Sequence, residues 1–311
     1  MRGGHARVVR TRAIAAFAVL ALVSGCGGGG GGGDGASGRI EVDGSSTVGP
    51  FMTAAAERFR NEDPDVQVTV GVSGTGGGFE RFCRGETDIS NASRPIEDDE
   101  KQACSGKRVE YVELQVANDA LTVVVNRGND WATCLTVEQL KAIWEPGSKI
   151  GDWSDVPGAD FPDEKLPLYG PGTDSGTFDY FTDEIVGEEG ASRSDYTASE
   201  NDNVLVRGVA GEKGALGYFG FSYFEQNQSQ LKAVEIDGGD GCVAPSVETA
   251  QSGEYKPLSR PLFIYVKKQA LDRAPVRRFV EFTLENAIAI AEESRFVPLT
   301  ADQAARAQRK L

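Results

Sequence analysis

The sequence predicts an α/β protein with mainly parallel sheets. Short apolar runs rich in β-branched residues alternate with longer amphipathic runs, which is typical of strand–helix–strand units. The predicted strands include VQVTVGV (66–72), LTVVVN (121–126) and LFIYV (262–266). The predicted helices include VGPFMTAAAERFR (48–60), TVEQLKAIWEP (136–146) and PVRRFVEFTLENAIAIAEES (275–294). The chain beyond residue 38 is long enough for two compact lobes.

Residues 1–25 have the pattern of an export signal. Four arginines precede or border the apolar run AIAAFAVLALV (13–23), which is too short for a stable transmembrane helix. The run leads into Val23-Ser24-Gly25-Cys26, which is similar to the lipobox at which bacterial signal peptidase cuts before a cysteine that becomes lipid-modified. Seven glycines follow, so residues 26–38 are expected to be a lipidated (palmitate-bearing) Cys26 and a flexible tether. An ordinary signal with a chance cysteine is the alternative.

The chain is acidic and nearly free of histidine. It has 32 basic and 47 acidic residues, a net charge of −15, and loss of the leader's arginines makes the mature chain more negative still. This balance disfavours a nucleic-acid partner. The only histidine, His5, lies in the leader, so the mature chain lacks the usual general base and the commonest metal ligand. No catalytic residue, metal site or cofactor is predicted.

Four cysteines remain after Cys26: Cys83, Cys104, Cys134 and Cys242. An even number in an exported protein favours two disulfides, and the sequence alone leaves three connectivities open. No C-x-x-C motif occurs, which argues against a zinc site.

Three glycine- and hydroxyl-rich turns connect a predicted strand to a predicted helix. They are DGSSTVGPF (43–51), VSGTGGGFERF (72–82) and GPGTDSGTFDYF (170–181). Ser, Thr and Asp are ordinary N-caps, so each turn alone has a purely structural explanation. In open α/β sheets, however, ligands bind at the carboxyl ends of strands, where these turns would gather. Helix N-termini carry about half a positive charge each, so the three turns together predict an anion site.

Arg94 is the predicted cation of this site. It lies in DISNASRPI (88–96), where Pro95 restricts the preceding residues to an extended loop that can project the guanidinium into a cleft. A guanidinium can bind two oxygens of an oxyanion side by side. Three helix N-termini and one arginine supply roughly +2.5 charges, sufficient for a phosphate of about −1.5 to −2. A surface arginine in a turn is the alternative.

Nucleotide-binding and serine-hydrolase interpretations of these motifs disagree with particular residues. The second turn lacks the GK[ST] of a P-loop, because Phe79 and Glu80 stand where lysine would be needed, and Phe79 also occupies the third glycine position of a dinucleotide fingerprint. GTDSG (172–176) resembles the sequence around a nucleophilic serine. A Ser-His-Asp triad needs a histidine, however, and the mature chain lacks one. A Ser-Lys or carboxylate hydrolase remains as an alternative.

Four motifs, in their order and spacing, resemble the phosphate-binding lipoproteins of bacterial phosphate-specific ABC transporters. They are SSTVGP, VSGTGGGFERF, DISNASRPI and GTDSGTFDYF. The likeness extends to LTVEQLKAIWEPGSKIGDWSDV (135–156) and GALGYFGFSYF (214–224), and so covers nearly the whole mature chain. It implies the type II periplasmic-binding-protein fold, two α/β lobes joined by two crossing hinge strands that close on one phosphate. The lobes would be 39–126 with 258–311, and 127–257, with crossings near Asn126 and Leu258.

The resemblance also implies the phosphate ligands. They are expected to be Ser46, Thr47, Val48, Thr75, Ser93, Arg94, Asp174, Ser175, Gly176 and Thr177. Two positions depart from the best-known members: Ser93 stands where they carry aspartate, and Pro171 where they carry arginine. Arg94 is expected to replace the missing charge, as in the branch of the family that carries Ser-Arg-Pro. Asp174 is the leading candidate for the carboxylate that accepts the phosphate's proton and so rejects sulfate, with an N-cap role as the alternative.

Two further expectations depend on the implied lobes. Cys83 should pair with Cys104, and Cys134 with Cys242, because each pair then lies within one lobe and leaves the hinge free. The chain should act as a monomeric, extracytoplasmic, lipid-anchored binding protein that hands inorganic phosphate to the permease subunits of an ABC transporter. The alternatives are a binding protein for another tetrahedral oxyanion, such as sulfate or a phosphonate, and a secreted phosphatase.

Overall fold

Strands and helices alternate along the folded chain, as the hydrophobic pattern predicts. The computed structural model describes residues 38–173 and 175–311. The strands are β1 (Gly38–Gly44), β2 (Val66–Val70), β3 (Ile89–Ala92), β4 (Tyr111–Asn126), β5 (Cys134–Thr136), β6 (Leu168–Gly170), β7 (Thr197–Ala198), β8 (Leu216–Gly220), β9 (Leu231–Ala233), β10 (Glu235–Asp237), β11 (Cys242–Val243) and β12 (Ser259–Lys267). The helices are α1 (Gly49–Glu62), α2 (Gly74–Arg84), α3 (Asp98–Gly106), α4 (Val137–Trp144), α5 (Gly176–Phe181), α6 (Asp202–Gly211), α7 (Phe221–Gln226), α8 (Val247–Ser252), α9 (Lys268–Leu271), α10 (Ala274–Glu285), α11 (Ala287–Glu293) and α12 (Ala301–Gln308).

One mixed sheet carries most of these strands. Its order is β2-β1-β3-β12-β4-β8-β6-β7, and β9 also pairs with β4. A smaller sheet has the order β11-β10-β5. The long strand β4 pairs with β12 along its first part and with β8 along its second, so it runs continuously from one half of the sheet into the other. The predicted α/β class is confirmed.

The expectation of mainly parallel sheets holds only for the outer strands. β1 is parallel to β2 and β3, and β6 is parallel to β7 and β8. The central strands β12 and β4 are instead antiparallel to each other and to the strands beside them. A hydrophobic run reports how deeply a strand is buried and not which way it runs, so its direction cannot be read from the pattern.

The predicted helix over 275–294 is two helices in the structure. α10 ends at Glu285 and α11 begins at Ala287, with Asn286 between them at φ −103° and ψ 7°. The Asn286 side chain donates a hydrogen bond to the carbonyl of Phe282, 2.9 Å away. Asparagine often competes for backbone groups in this way, which explains why an unbroken apolar pattern contains a break.

Two large apolar cores lie along the sheet. The first packs α1, α10 and α11 on β1 and on the first part of β4, with Phe59 against Phe279 and Phe282 at 5.3 Å between ring centroids. The second contains Trp144, and Phe181 stacked on Tyr218 at 3.8 Å. Within β4, Ala117 belongs to the first core and Leu121 to the second. The lobe boundaries given above remain a prediction.

Both disulfides have the expected pairing. Cys83 is bonded to Cys104, and Cys134 to Cys242. The first links α2 to α3, and the second links β5 to β11 at opposite edges of the smaller sheet. The predicted signal peptide, the lipidation site Cys26 and the tether up to residue 37 lie outside the described residues, and Gly38, the predicted end of the tether, is the first residue of β1. Within the described part of the chain, each helix is too short or too polar to cross a membrane.

Candidate functional site

The three turns singled out by the sequence meet at one cavity of about 340 Å³, here called the turn cavity. They follow β1, β2 and β6, and the segment after β3 joins them. The lining residues are Ser45, Ser46, Thr47, Ser73, Gly74, Thr75, Gly76, Gly77, Ser93, Arg94, Gly176, Asp179, Tyr180, Asp183, Glu184, Glu189 and Arg260. Of the expected ligands, the cavity thus brings together Ser46, Thr47, Thr75, Ser93, Arg94 and Gly176.

The other expected ligands lie beside the cavity or outside the described residues. Val48 is fully buried, and its N–H points to the Ser45 hydroxyl at 3.4 Å. The Ser175 hydroxyl accepts a hydrogen bond from the Thr177 N–H at 3.2 Å and so caps α5. Asp174, the candidate for rejecting sulfate, lies outside the described residues. Because its hydroxyl accepts from the Thr177 N–H, Ser175 performs the ordinary N-cap role in this structure.

The glycines of the second turn serve packing as well as access. A Cβ on Gly78 would lie 2.5 Å from the Gly44 Cα and 2.9 Å from the Ser90 hydroxyl, so α2 can pack this closely on the first turn only with glycine there. Gly44 itself adopts φ +139° against the Asn91 backbone. Gly76, by contrast, has room for a Cβ, because the nearest atoms, Arg94 Nη2 at 3.9 Å and Glu100 Oε1 at 4.0 Å, are at ordinary contact distance.

This difference predicts opposite effects on stability for two neighbouring alanine substitutions. Gly78→Ala should lower the free energy of unfolding by about 2–3 kcal/mol, because the new methyl group meets backbone that cannot move aside. Gly76→Ala is the matched control, and it should raise the free energy of unfolding by about 0.5–1 kcal/mol because alanine favours a helix. Urea denaturation of both variants checks the pair, and equal stabilities would contradict the packing role of Gly78.

The hydroxyls of the second turn and of the segment after β3 already contact each other. Thr75 Oγ1 lies 3.1 Å from Ser93 Oγ and accepts a hydrogen bond from the Ser93 N–H at 3.3 Å. The pair fixes the position of both side chains at the cavity wall. A hydroxyl has two acceptor lone pairs and one rotatable donor, so the pair keeps capacity for one further acceptor.

Gly176 brings the third turn directly against the first. A Cβ at this position would lie 2.8 Å from Thr47 Oγ1 and 3.2 Å from both Ser46 Oγ and the Thr47 nitrogen. These are the hydroxyls that the resemblance assigns to the ligand. The start of α5 and the start of α1 therefore face the same small volume.

Arg94 lines the cavity, but its guanidinium is already paired. Nη1 and Nη2 donate to the two carboxylate oxygens of Glu100, each at 2.9 Å, and Nε lies 3.1 Å from Glu97. The hydrogen bonds to Glu100 raise the pKa of Arg94. The sequence pattern indicated the position of this arginine but not its pairing with these two carboxylates, which lie at the start of α3.

Arg260 lines the turn cavity although the sequence pattern did not predict it. It lies on β12, lines the cavity, and donates from Nη2 to Thr47 Oγ1 at 2.9 Å. A signal was present: Ser259-Arg260-Pro261 repeats the tripeptide Ser93-Arg94-Pro95. β12 pairs antiparallel with β3, whose last residue Ala92 is opposite Phe263, so the two tripeptides lie at the same end of this strand pair.

The wall formed by α5, the π-helix Thr182–Val186 and the turn after it is acidic. Asp179, Asp183, Glu184 and Glu189 all line the cavity. Burial, and then Glu189, raises the pKa of Asp179, while burial and Asp183 raise the pKa of Glu184. This wall opposes a fully deprotonated anion and favours one that carries a proton it can donate. Among the described residues, no cluster of three or more His, Cys, Asp or Glu side chains is suited to a metal ion.

A polar cavity at the carboxyl ends of strands, between two apolar cores of one mixed sheet, is typical of a solute-binding protein.

Residues 30–287 match the family model of the PBP superfamily domain. The chain is 50% identical over 264 residues to protein SphX of Synechococcus elongatus. This alignment covers 84% of this chain and 78% of SphX. It is 40% identical over 278 residues to the phosphate-binding protein PstS of Staphylococcus saprophyticus. This alignment covers 88% of this chain and 84% of that PstS.

Solved structures give the same result. A possible phosphate binding protein of Planctomyces limnophilus superposes with a TM-score of 0.84 at 49% identity, covering 88% of this chain and 97% of that one. A phosphate ABC transporter substrate-binding protein from Clostridium perfringens, with bound phosphate, superposes with a TM-score of 0.57 at 28% identity, covering 84% and 100%. The chain therefore belongs to the PBP superfamily and, within it, to the family of PstS phosphate-binding proteins.

This membership confirms three predictions. The family resemblance is confirmed, and so is the periplasmic-binding-protein fold that it implied. The prediction of a binding protein rather than an enzyme is also confirmed, because the family consists of solute-binding proteins.

Proposed function

We propose that this protein captures one inorganic phosphate ion in the turn cavity and delivers it to the permease of an ABC transporter. The observation that carries the proposal is the meeting of all three turns at one small cavity. The relatives named as phosphate-binding proteins, and the Clostridium structure that contains phosphate, support the choice of ligand. Lobe closure by a hinge motion, favoured by the bound ion, would accomplish the capture.

The cavity offers a phosphate ion donors from several directions. The hydroxyls of Ser46 and Thr47 lie just before the start of α1, and the paired hydroxyls of Thr75 and Ser93 line the same cavity. The N-termini of α1 and α2 add partial positive charge. Each neutral hydrogen bond contributes only about 0.5–1.5 kcal/mol, so affinity requires that several act together.

Another tetrahedral oxyanion is the competing ligand. Sulfate has the same shape as phosphate but carries no proton near neutral pH, and so it cannot donate a hydrogen bond to a carboxylate. The four carboxylates of the cavity wall therefore favour phosphate over sulfate. A phosphatase is disfavoured by membership in a family of binding proteins.

Isothermal titration calorimetry of the ligand-stripped protein tests the proposal. Phosphate should bind at one site per chain with a dissociation constant of about 1 μM or lower, which corresponds to about −8 kcal/mol. Arsenate, with the same shape and protonation, should compete. Sulfate should give no binding at concentrations that saturate the site with phosphate. Equal affinities for phosphate and sulfate would contradict the assignment.

Asp174 is proposed as the carboxylate that enforces this choice. Asp174→Asn should lower the ratio of phosphate to sulfate affinity by roughly 10- to 100-fold, because a charge-assisted hydrogen bond of about 1.5–3 kcal/mol is lost and the repulsion of sulfate ends. Asp179→Asn, in a residue that lines the cavity, is the comparison variant. If Asp174→Asn leaves the ratio unchanged and Asp179→Asn lowers it, selectivity belongs to the wall of α5 instead.

We further propose that the protein works as a monomer outside the cytoplasm, held to the membrane by a lipid on Cys26. The lipobox-like Val23-Ser24-Gly25-Cys26 and the glycine run after it support the anchor. A flexible tether would allow the binding domain to reach the permease while remaining at the membrane surface.

A further inference from the structure

Arg260 connects three parts of the molecule that must come together around a ligand. Its backbone lies on β12, opposite Asp119 of β4. Its Nη2 donates to Thr47 of the first turn, and its guanidinium carbon lies 3.5 Å from the centroid of the Tyr180 ring on α5. Thr47 belongs to the turn beside the first core, and Tyr180 belongs to the second core. One side chain therefore contacts both sides of the cavity.

Asp119 and Tyr180 hold the guanidinium in a fixed position. Asp119 is 6% exposed, and its Oδ2 accepts from Arg260 Nε at 3.3 Å. Tyr180 is 2% exposed and is itself anchored, because its hydroxyl donates to the Pro257 carbonyl at 2.6 Å. Burial raises the pKa of Asp119, and Arg260 opposes that rise. A cation stacked on an aromatic ring and paired along one edge loses little further freedom on binding an anion.

Arg260 and Arg94 differ in which of their guanidinium N–H groups remain available to bind a ligand. All three nitrogens of the Arg94 guanidinium have a carboxylate partner, on Glu97 or Glu100. Among the described residues, Arg260 uses Nε for its carboxylate and Nη2 for the neutral hydroxyl of Thr47, while Nη1 has no hydrogen-bond partner. The Arg260 side chain is 16% exposed and that of Arg94 is 36% exposed, so a contact with Arg260 is less screened by water.

We propose that Arg260, rather than Arg94, supplies the positive charge that binds the oxyanion in the turn cavity. This inference rests on the proposed function and names the residue that performs it. The Nη1 and Nη2 groups form the edge of the guanidinium that can bind two oxygens side by side, with Thr47 completing the contact. Arg94 instead stabilises the turn between β3 and α3 through Glu97 and Glu100.

Calorimetry with inorganic phosphate on matched variants tests the inference. Arg260→Gln should weaken phosphate binding about 30-fold or more, the range for truncating one partner of a buried charged contact. Arg94→Gln should weaken it by less than about tenfold. Arg58→Gln removes an exposed arginine paired with Glu293 on the surface, and it controls for the change in net charge.

The double variant Arg260→Gln/Asp119→Asn keeps the test valid if Arg260→Gln alone fails to fold, because it removes the buried carboxylate left without a partner. A folded double variant that also loses about 30-fold or more in affinity supports the inference. A smaller loss, or a larger loss in Arg94→Gln than in either Arg260 variant, overturns it. A wild-type protein that fails to bind phosphate at all would instead refute the proposed function.

Discussion

Gly176→Ala is expected to weaken phosphate binding by about 100-fold, or about 2.7 kcal/mol, while leaving the fold intact. The added methyl group would lie 2.8 Å from Thr47 Oγ1, which is closer than real Cβ contacts come, so the third turn must move away from the first. The hydrogen bonds to the ion depend on a spacing defined to a few tenths of an ångström. Alanine is also a better helix former than glycine, so the start of α5 itself should tolerate the change.

The matched control for this prediction is Gly211→Ala. Gly211 also lies in a helix, α6, and has open space around its Cβ position. It should retain the phosphate affinity of the wild type. Calorimetry measures both affinities, and circular dichroism checks that both variants are folded. Wild-type affinity in Gly176→Ala would show that the first and third turns do not hold the ion between them.

Removing the Cys134–Cys242 disulfide is expected to produce the largest loss of stability. The two cysteines are 108 residues apart in sequence, and a cross-link that closes a loop of this length should contribute about 4–5 kcal/mol by restricting the unfolded chain. Cys242 is exposed and Cys134 is half-buried, so Cys134→Ala/Cys242→Ala removes little packing. Denaturant unfolding of the oxidised wild type and of the double variant measures the difference.

Phosphate affinity provides the control for the disulfide variant. Neither cysteine lines the turn cavity, so the folded double variant should bind phosphate as the wild type does. A loss of less than about 1 kcal/mol in the free energy of unfolding would mean that the unfolded chain is already restricted in this region.

The three turns could be predicted from the sequence, because glycine, hydroxyl and N-cap patterns are local, and the family resemblance assigned residues of all three turns to one ligand. Thr47, Thr75 and Gly176 were predicted as members of one site, and the structure places all three at one cavity. The role of Gly78 was not predicted, since its need for glycine comes from Gly44, 34 positions earlier in the chain. Residues that touch only after folding leave no periodic signal.

Charge pairing was the least predictable property of the site. Arg94 was chosen for its position in an extended loop, but its partner Glu100 depends on how α3 begins. Arg260 lies on β12, whose hydrophobic sequence is typical of a buried core strand. Its pairing opposite Asp119 and its stacking on Tyr180, which only the fold reveals, place it at the cavity. Strand direction, which the hydrophobic pattern does not report, therefore decides which arginine reaches the anion.

A crystal structure of the protein grown with phosphate and without sulfate would show directly whether the turn cavity is the phosphate site. We expect one tetrahedral ion in the turn cavity, within hydrogen-bond distance of the Thr47 and Thr75 hydroxyls and of the N–H groups at the start of α5. The ion should also lie about 3 Å from the Arg260 guanidinium. An ion bound elsewhere on the protein, with the turn cavity filled only by water, would show that the three turns do not form the phosphate site.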